Sequence, residues 1–454
     1  MTNKAKITFC SGAGTVTGAN FLFEINEKKF LIDCGMIQNS KLADEINWDP
    51  FPYNAGEVEI LFVTHAHIDH VGRIPKLIQE GFRGRIISSI PSKDIADLMM
   101  RDTAGILTQD DANGLEIFFN EKNINLALSL WETYDYNKEI KLSENITVTL
   151  KDAGHILGSA MICFRAYGKN IVFTGDLGNS PSPILPDTEI LKDVDYLIME
   201  SVYGDRNHES RDERKKKLEK VIEDNYGRKG VLIIPTFSLE RSQELLFEIN
   251  DFVENNRIPP MPVYIDSPLA IKLTAVYSKY TKYLNSIALG KIKEGDDIFN
   301  FPGLRVTLST DESKGILKVP SPKIIMAGSG MSMGGRIVHH EKNYLPDKNN
   351  TLLLIGFQSL GTMGRLIEEG AKKIRITGQD VMVNAHIEKI SGYSGHKDSD
   401  SLISFVETNA DSLKKVFCVM GEPKSAMFLA QKIRDYLGVE AISPGAGDVY
   451  EINL

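Results

Sequence analysis

The 454-residue sequence contains little cysteine and no long apolar runs. Its four cysteines are scattered and form no CxxC pair, which excludes a disulfide framework and a thiolate zinc site. No apolar run reaches the roughly 18 residues that a membrane span needs, and the first residues contain no signal-peptide core. These absences predict a reduced, cytoplasmic protein that has no membrane partner.

An excess of basic residues is also absent. The formal net charge is −9, which argues against a protein that binds nucleic acid over a broad basic surface, although it leaves room for a local basic groove. The length favours two or three domains, and 42% hydrophobic and 25% charged residues are ordinary for a globular protein.

The few histidines are concentrated in one place. Three of the nine, and one aspartate, fall within six positions: His65, His67, Asp69 and His70. The apolar run Val58–Val63 before them predicts a buried strand, and Val71–Gly81 after them has helical spacing. The cluster is therefore expected on a strand-to-helix loop, where α/β sheets commonly carry their sites. Imidazole nitrogen and carboxylate oxygen together suit zinc or a similar first-row metal.

Later stretches again place a residue type that can bind metal after or beside a predicted strand. Ile171–Asp176 is an apolar strand that ends in a carboxylate, and His155 lies between two strand patterns in Gly-His-Ile-Leu-Gly-Ser. Asp33 closes an earlier strand, where a lone aspartate is usually a turn cap. In contrast, residues 92–140 have mainly helical spacing, with Ser92 as the expected N-cap.

The pattern of apolar residues along the chain changes near residue 208. From there to about residue 384, apolar strand runs alternate with helical stretches, which predicts βαβ units and a parallel sheet. Several of the turns that follow a strand and precede a helix are glycine-rich, and the backbone N–H groups of such turns can hold phosphate.

These stretches resemble the metallo-β-lactamase fold, and within it the β-CASP branch, whose members cut nucleic acids. The shared motifs are His65-x-His67-x-Asp69-His70, Gly-His155, Thr-Gly-Asp176, Glu200 before Ser-x-Tyr-Gly, and Ser394-Gly395-His396-x-Asp398. The resemblance runs from Ile7 to about Ala430. Within the β-CASP branch, the chain resembles the bacterial and archaeal RNA-processing members and the cleavage and polyadenylation endonuclease subunit. The resemblance implies an α/β protein: an αββα sandwich formed by residues 1–207 and 385–454, with an α/β β-CASP domain inserted at residues 208–384.

The resemblance also implies a site for two metal ions. One ion is assigned to His65, His67 and His155. The second is assigned to Asp69 and His70, with Asp176 as a bridge. Zn²⁺ is the implied cofactor at both sites, and Mn²⁺ is a second candidate.

Catalytic roles follow from the same resemblance. A water activated between the two metals would attack phosphorus. His396 would be the general acid that protonates the leaving oxygen, and Glu200 would keep it cationic. Asp33 would orient the metal ligands. The catalytic candidates are thus Asp33, Asp69, Glu200 and His396.

The inserted domain adds candidate substrate contacts, and one position departs from the family pattern. The expected phosphate-binding residues are Ser329, Gly330, Arg336 and Arg365. Met420 stands where the RNA-processing members carry a histidine that ligates the second metal. A thioether is a weak ligand for zinc or manganese, so the second metal is expected to bind weakly.

The implied function is metal-dependent hydrolysis of phosphodiester bonds in single-stranded RNA. Two alternatives stay open because of Met420: a DNA nuclease, since DNA-acting members carry an apolar residue there, and a metal-poor RNA-binding relative with weak catalysis. The long insert argues against a small-molecule hydrolase of the wider fold. The sequence leaves open endonuclease against exonuclease action, the natural RNA target and a homodimer.

Overall fold

The structure is a computed structural model that describes residues 4–38, 43–109, 118–209, 211–356, 358–359 and 361–454. The chain forms two compact units, the first from residues 1–207 and 396–454 and the second from residues 208–395. Within the described residues, the helices are too short or too polar to cross a membrane.

Two seven-stranded sheets form the first unit. In sheet order, with strands numbered along the chain, the first sheet consists of β22 (Val449–Asn453), β1 (Lys4–Ser11), β2 (Asn20–Ile25), β3 (Lys28–Ile32), β4 (Ile60–Phe62), β5 (Arg85–Ser89) and β6 (Trp131–Tyr134). The second consists of β21 (Ala441–Ile442), β20 (Lys415–Val419), β11 (Tyr196–Glu200), β10 (Lys169–Phe173), β9 (Ala160–Ala166), β8 (Ile146–Asp152) and β7 (Glu139–Lys141).

The core of this unit lies between the two sheets. Burial alternates along β1 and β8, as expected for strands with one inward face. Phe164 of β9 contacts three rings of the first sheet, with centroids 5.0 Å from Phe23, 5.7 Å from Phe30 and 5.3 Å from Phe62. Such aromatic packing holds the two inner faces together.

Helices complete the layers. Between strands of the first sheet run α1 (Ala43–Trp48), α2 (Ile68–Val71), α3 (Ile74–Gln79), α4 (Ile90–Gln109) and α5 (Glu121–Ser129). Two further helices, α13 (Ser399–Glu407) and α14 (Pro423–Leu437), pack their buried leucines on the outer face of the second sheet. The predicted αββα sandwich is confirmed.

The prediction for residues 92–140 was only partly right. Helix α4 begins at Ile90, before the expected cap Ser92, and the end of the segment forms β6 and β7 instead of helix. The indole of Trp131 donates to Ser88 Oγ of β5 at 2.8 Å, a pairing between distant segments that local spacing does not reveal.

The second unit is an α/β domain around a parallel sheet. In sheet order its strands are β14 (Leu304–Val306), β13 (Val263–Asp266), β15 (Lys323–Ala327), β12 (Val231–Pro235), β16 (Thr351–Ile355) and β19 (His386–Ile390), and β17 (Lys373–Ile376) and β18 (Gln379–Met382) form a separate hairpin. Its helices are α6 (Arg211–Gly227), α7 (Arg241–Glu254), α8 (Pro268–Lys279), α9 (Ser286–Lys293), α10 (Thr310–Gly315), α11 (Ile337–Tyr344) and α12 (Met363–Glu368). Strands β12 and β16 are buried at every residue, as is typical of parallel strands covered on both faces.

The second boundary of the insert differs from the expected one. Strand β19 pairs in parallel with β16, from Thr351 opposite His386 to Ile355 opposite Ile390. The chain therefore stays in the second unit until Gly395 and returns to the first at His396, and not at residue 385. The sequence pattern alone did not show that one more strand joins this sheet.

Candidate metal centre

The six candidate metal ligands all lie in the first unit, on segments that follow β4, β8 and β10: His65, His67, Asp69, His70, His155 and Asp176. A close approach explains the glycine of the Thr-Gly-Asp motif. Gly175 has a φ of +55°, and a Cβ built there would lie 2.6 Å from Cβ of Thr64, the residue before the first histidine. The segment between β10 and Asp176 thereby reaches the histidine loop.

Four of these residues converge on one point. Nδ1 of His67 lies 3.1 Å from Nε2 of His65 and 3.2 Å from Nε2 of His155. Oδ2 of Asp176 lies 3.4 Å and 3.6 Å from the same two Nε2 atoms. Ligands about 2.0–2.1 Å from a tetrahedral ion are about 3.3 Å apart, so this donor set fits zinc.

The protonation of these histidines also suits a metal. Burial lowers the pKa of His65, and it lowers the pKa values of His67 and His155 well below their usual range. The neighbouring histidines contribute to each of these shifts. The three rings are thus neutral, the form that binds metal.

His70 and Asp69 complete a second donor set with Asp176. Nε2 of His70 lies 3.5 Å from Oδ2 of Asp176 and 3.9 Å from Oδ2 of Asp69. Both Nε2 of His70 and Oδ1 of Asp176 are buried without a hydrogen-bond partner in the part of the chain that the structure describes. An unsatisfied buried polar atom costs about 1–3 kcal/mol, which a bound cation would offset.

Asp33 and Thr64 hold these ligands in place. The carboxylate of Asp33 accepts hydrogen bonds from N and Oγ1 of Thr64 at 2.8 and 2.7 Å, and it lies 2.7 Å from Nδ1 of His70. Thr64 Oγ1 is also 3.0 Å from Nδ1 of His65. Burial alone would lower the pKa of His70, but the charges of Asp176 and Asp33 raise it well above its usual value. The role of Thr64 was not predicted from the sequence, where its only signal is its position before the first histidine.

A second histidine–carboxylate pair adjoins the ligands. Nδ1 of His396 lies 3.1 Å from Oε1 of Glu200 and 3.9 Å from Oδ2 of Asp176, and the rings of His396 and His155 are 4.7 Å apart. Burial opposes the charge on His396, but Glu200 prevails and raises the pKa of His396 to about 9. The backbone N–H of Leu177 donates to Oε1 of Glu200 at 2.7 Å and fixes the carboxylate. This site therefore combines a candidate metal-ligand set with a histidine whose pKa is raised by a neighbouring carboxylate.

Three protein-family models match parts of this chain. Residues 242–367 match the model described as Beta-Casp domain, and residues 380–444 match the Zn-dependent metallo-hydrolase RNA specificity domain. Residues 11–203 match the model of the Anti-Pycsar protein Apyc1.

Individual relatives decide the family. Ribonuclease TTHA0252 of Thermus thermophilus is 32% identical over 419 residues, which cover 92% of this chain and 94% of the relative. The chain belongs to the β-CASP family of the metallo-β-lactamase fold. Transcription termination factor FttA of Methanosarcina mazei is 29% identical over 451 residues, covering 96% of this β-CASP chain and 70% of the relative. The predicted family is thereby confirmed.

A solved structure shares the fold. The crystal structure of a protein of unknown function from Enterococcus faecalis V583 superposes with a TM-score of 0.58 at 15% identity, covering 99% of this chain and 100% of that chain.

The expected phosphate-binding residues of the β-CASP unit differ in how many of their hydrogen-bond donors are already used within the protein. Nη1 of Arg336 donates to Oδ1 of the buried Asp266 at 2.7 Å and to the Thr307 carbonyl at 2.9 Å, and Nη2 donates to the Leu308 carbonyl at 2.8 Å. These three bonds tie the guanidinium to its own domain, and the expectation that Arg336 binds phosphate stays a prediction. Arg365 makes one side-chain hydrogen bond among the described residues, from Nε to Glu369 at 2.7 Å, and it remains a candidate.

Ser329 and Gly330 lie on the loop after β15 and also remain candidates. Oγ of Ser329 accepts from the backbone N–H of Met333 at 3.0 Å, and the Gly330 carbonyl accepts from Nε2 of Gln358 at 3.1 Å. These bonds order the loop without using the backbone N–H of Gly330.

Met420 packs in the core of the first unit. It is 2% exposed, belongs to the hydrophobic cluster between the two sheets, and donates its backbone N–H to the Gly12 carbonyl at 2.7 Å. A Cβ added at Gly12 would lie 2.8 Å from the thioether sulfur, so the side chain is packed against that turn. The prediction that the second metal binds weakly stays a prediction.

Proposed function

We propose that this protein hydrolyses phosphodiester bonds of single-stranded RNA in a metal-dependent reaction. The observation that carries the proposal is the joint position, within one unit, of the His/Asp ligand set and the Glu200–His396 pair. The ribonuclease name of the Thermus relative and the RNA specificity domain matched by residues 380–444 favour RNA as the substrate.

The ligand set divides into two parts in this proposal. His65, His67 and His155 would hold one zinc ion, Asp69 and His70 would hold a second, and Asp176 would touch both. When bound, such ions act as Lewis acids and lower the pKa of water toward neutrality. Asp33 and Thr64 orient His70 and His65 through the hydrogen bonds described above.

His396 supplies the proton in this scheme. Its Nδ1–H donates to Glu200, so the imidazolium retains a second proton, on Nε2, for the oxygen that leaves phosphorus. Since the pKa of His396 is raised to about 9, the acid stays loaded near neutral pH. The bond from Leu177 to Glu200 keeps this carboxylate in place.

The decisive experiment compares single-stranded RNA and DNA of the same sequence, with the zinc content measured on the same preparation. We expect zinc and preferential cleavage of RNA. Preferential cleavage of DNA would favour the DNA-nuclease alternative, and RNA binding without cleavage by a metal-poor protein would favour the RNA-binding alternative. A circular RNA of the same sequence then separates the two modes of action, because only an endonuclease opens it.

A further inference from the structure

A pocket separate from the candidate metal centre lies on the first unit beside α13. It has a volume of about 370 Å³, within the roughly 300–1,000 Å³ typical of small-ligand sites. Its walls come from Thr188 and Ile190 on one side and from Lys397 and one face of α13 on the other. None of the metal ligands contributes to this α13 pocket.

Lys397 is the unusual residue of the α13 pocket. Only 7% of the residue is exposed, and Nζ makes neither a hydrogen bond nor an ion pair with any residue that the structure describes. Burial lowers the pKa of Lys397, and the charges of Asp187, Glu200 and Asp398 act against that shift without forming an ion pair with Nζ. Lysine is rarely buried to this extent unless it is paired, because an ammonium that has lost most of its water is costly without a direct partner. The pocket therefore offers a cation that an anionic ligand would neutralise.

The other polar groups of the pocket are consistent with an anion. The hydroxyls of Ser401 and Ser404, one turn apart on α13, have no hydrogen-bond partner among the described residues and can donate. Asp400 also lines the pocket, but its carboxylate already accepts from Lys432 at 2.8 Å and Asn207 at 2.7 Å. Asp398 caps α13 by accepting from the backbone N–H of Ser401 at 3.0 Å.

We propose that the α13 pocket binds a phosphoryl oxyanion, supplied by a mononucleotide or by a phosphate of an RNA strand, with Lys397 as its charge partner and Ser401 and Ser404 as hydroxyl donors. Ile190 and Phe405 provide apolar surface suited to a base or sugar next to that phosphate.

The position of the pocket connects it to the candidate acid. Lys397 follows His396 in the chain, and its backbone N–H donates to the Leu177 carbonyl at 2.9 Å. The N–H of Leu177 in turn donates to Glu200, the partner of His396. A ligand bound to Lys397 would thus contact the residue next to His396 in the chain. The binding itself does not depend on the proposed ribonuclease activity.

The test is calorimetric titration of the purified, metal-bearing protein with inorganic phosphate, AMP and a 2′-O-methyl RNA trinucleotide that is checked to be intact after the titration. Because phosphate also binds metals, the difference between the natural protein and Lys397→Met isolates the pocket. We expect Lys397→Met to weaken binding about tenfold or more. Lys122→Met, which removes an exposed lysine on α5, should bind like the natural protein. Tighter binding of AMP than of the trinucleotide would identify a mononucleotide as the ligand, and the reverse order an RNA strand.

Thermal unfolding without ligand distinguishes a binding lysine from a structural one. Loss of an unpaired buried charge should leave the Tm of Lys397→Met equal to that of the natural protein or raise it. The double variant Ser401→Ala/Ser404→Ala provides an independent test and should also weaken binding. Equal binding by natural protein and Lys397→Met, or no binding of any of the three probes to the natural protein, would overturn the proposal. So would a lowered Tm of Lys397→Met with unchanged binding.

Discussion

Asp33→Asn should weaken metal binding while the fold survives. Asp33 has a φ of 59°, a left-handed conformation that asparagine adopts readily, so the substitution adds no backbone strain. Asparagine keeps one side-chain oxygen that can still accept from Thr64. However, its NH₂ group would replace Oδ2, which faces Nδ1 of His70 and accepts from Oγ1 of Thr64, and the negative charge beside that ring would be lost.

The magnitude follows from these contacts. A histidine that loses the partner of its second ring nitrogen typically binds metal about 10–100-fold more weakly. Each of the two mismatched buried hydrogen bonds costs about 1–3 kcal/mol, whereas natural domains are stable by about 5–15 kcal/mol. The substitution should therefore change metal affinity without unfolding the protein.

Calorimetric zinc titration, with circular dichroism on the same samples, measures both effects. The matched control is Asp435→Asn, which makes the same change at an exposed position of α14. Equal zinc affinity in Asp33→Asn and the natural protein would refute the role given to Asp33, whereas loss of the folded spectrum would refute the estimate of its structural cost.

Three further predictions address the acid, the second metal and the inserted domain. His396→Ala should lower cleavage by about 10²–10⁴-fold with unchanged metal content, and a substrate with a much better leaving group should recover most of that loss; equal losses on both substrates would contradict the acid role. One metal should survive dialysis and a second should not, with activity following the second, and Met420→His should tighten that site; two equally tight sites would contradict this reasoning. Burial opposes the charge of Asp266, but hydrogen bonds from His340, Ser313, Thr307 and Arg336 hold its pKa well below its usual value. The unfolded chain therefore takes up a proton first as the pH falls below about 4, so stability should decline there, and urea unfolding of Asp266→Asn should show a weaker dependence on pH. An unchanged dependence would rule out this carboxylate as its source.

The candidate metal ligands could be selected from the sequence because each is marked by its local pattern. His65 and His67 follow an apolar strand at a spacing of two, and Asp176 follows another such strand. These patterns place side chains at strand ends, where an α/β sheet gathers its site. The structure brings four of the residues within metal-ligand distance of one another.

Features that depend on distant contacts could not be anticipated in the same way. Nη1 of Arg336 donates to Asp266, which lies 70 positions earlier in the chain, and the glycine-rich surroundings of Arg336 give no sign of this contact. Strand β19 joins the inserted sheet only because β16 is its neighbour, which shifts the domain boundary to His396. Lys397 looked like a variable position within a histidine motif, and its burial is visible only in the folded protein.

The most direct test of metal-dependent RNA hydrolysis compares the natural protein with His67→Ala in metal content and RNA cleavage, measured on the same samples. Loss of a ligand at the centre of the His65–His67–His155 cluster should leave the fold largely intact, lower the bound zinc and abolish most of the cleavage. Full cleavage by His67→Ala in the presence of a chelator would contradict the account.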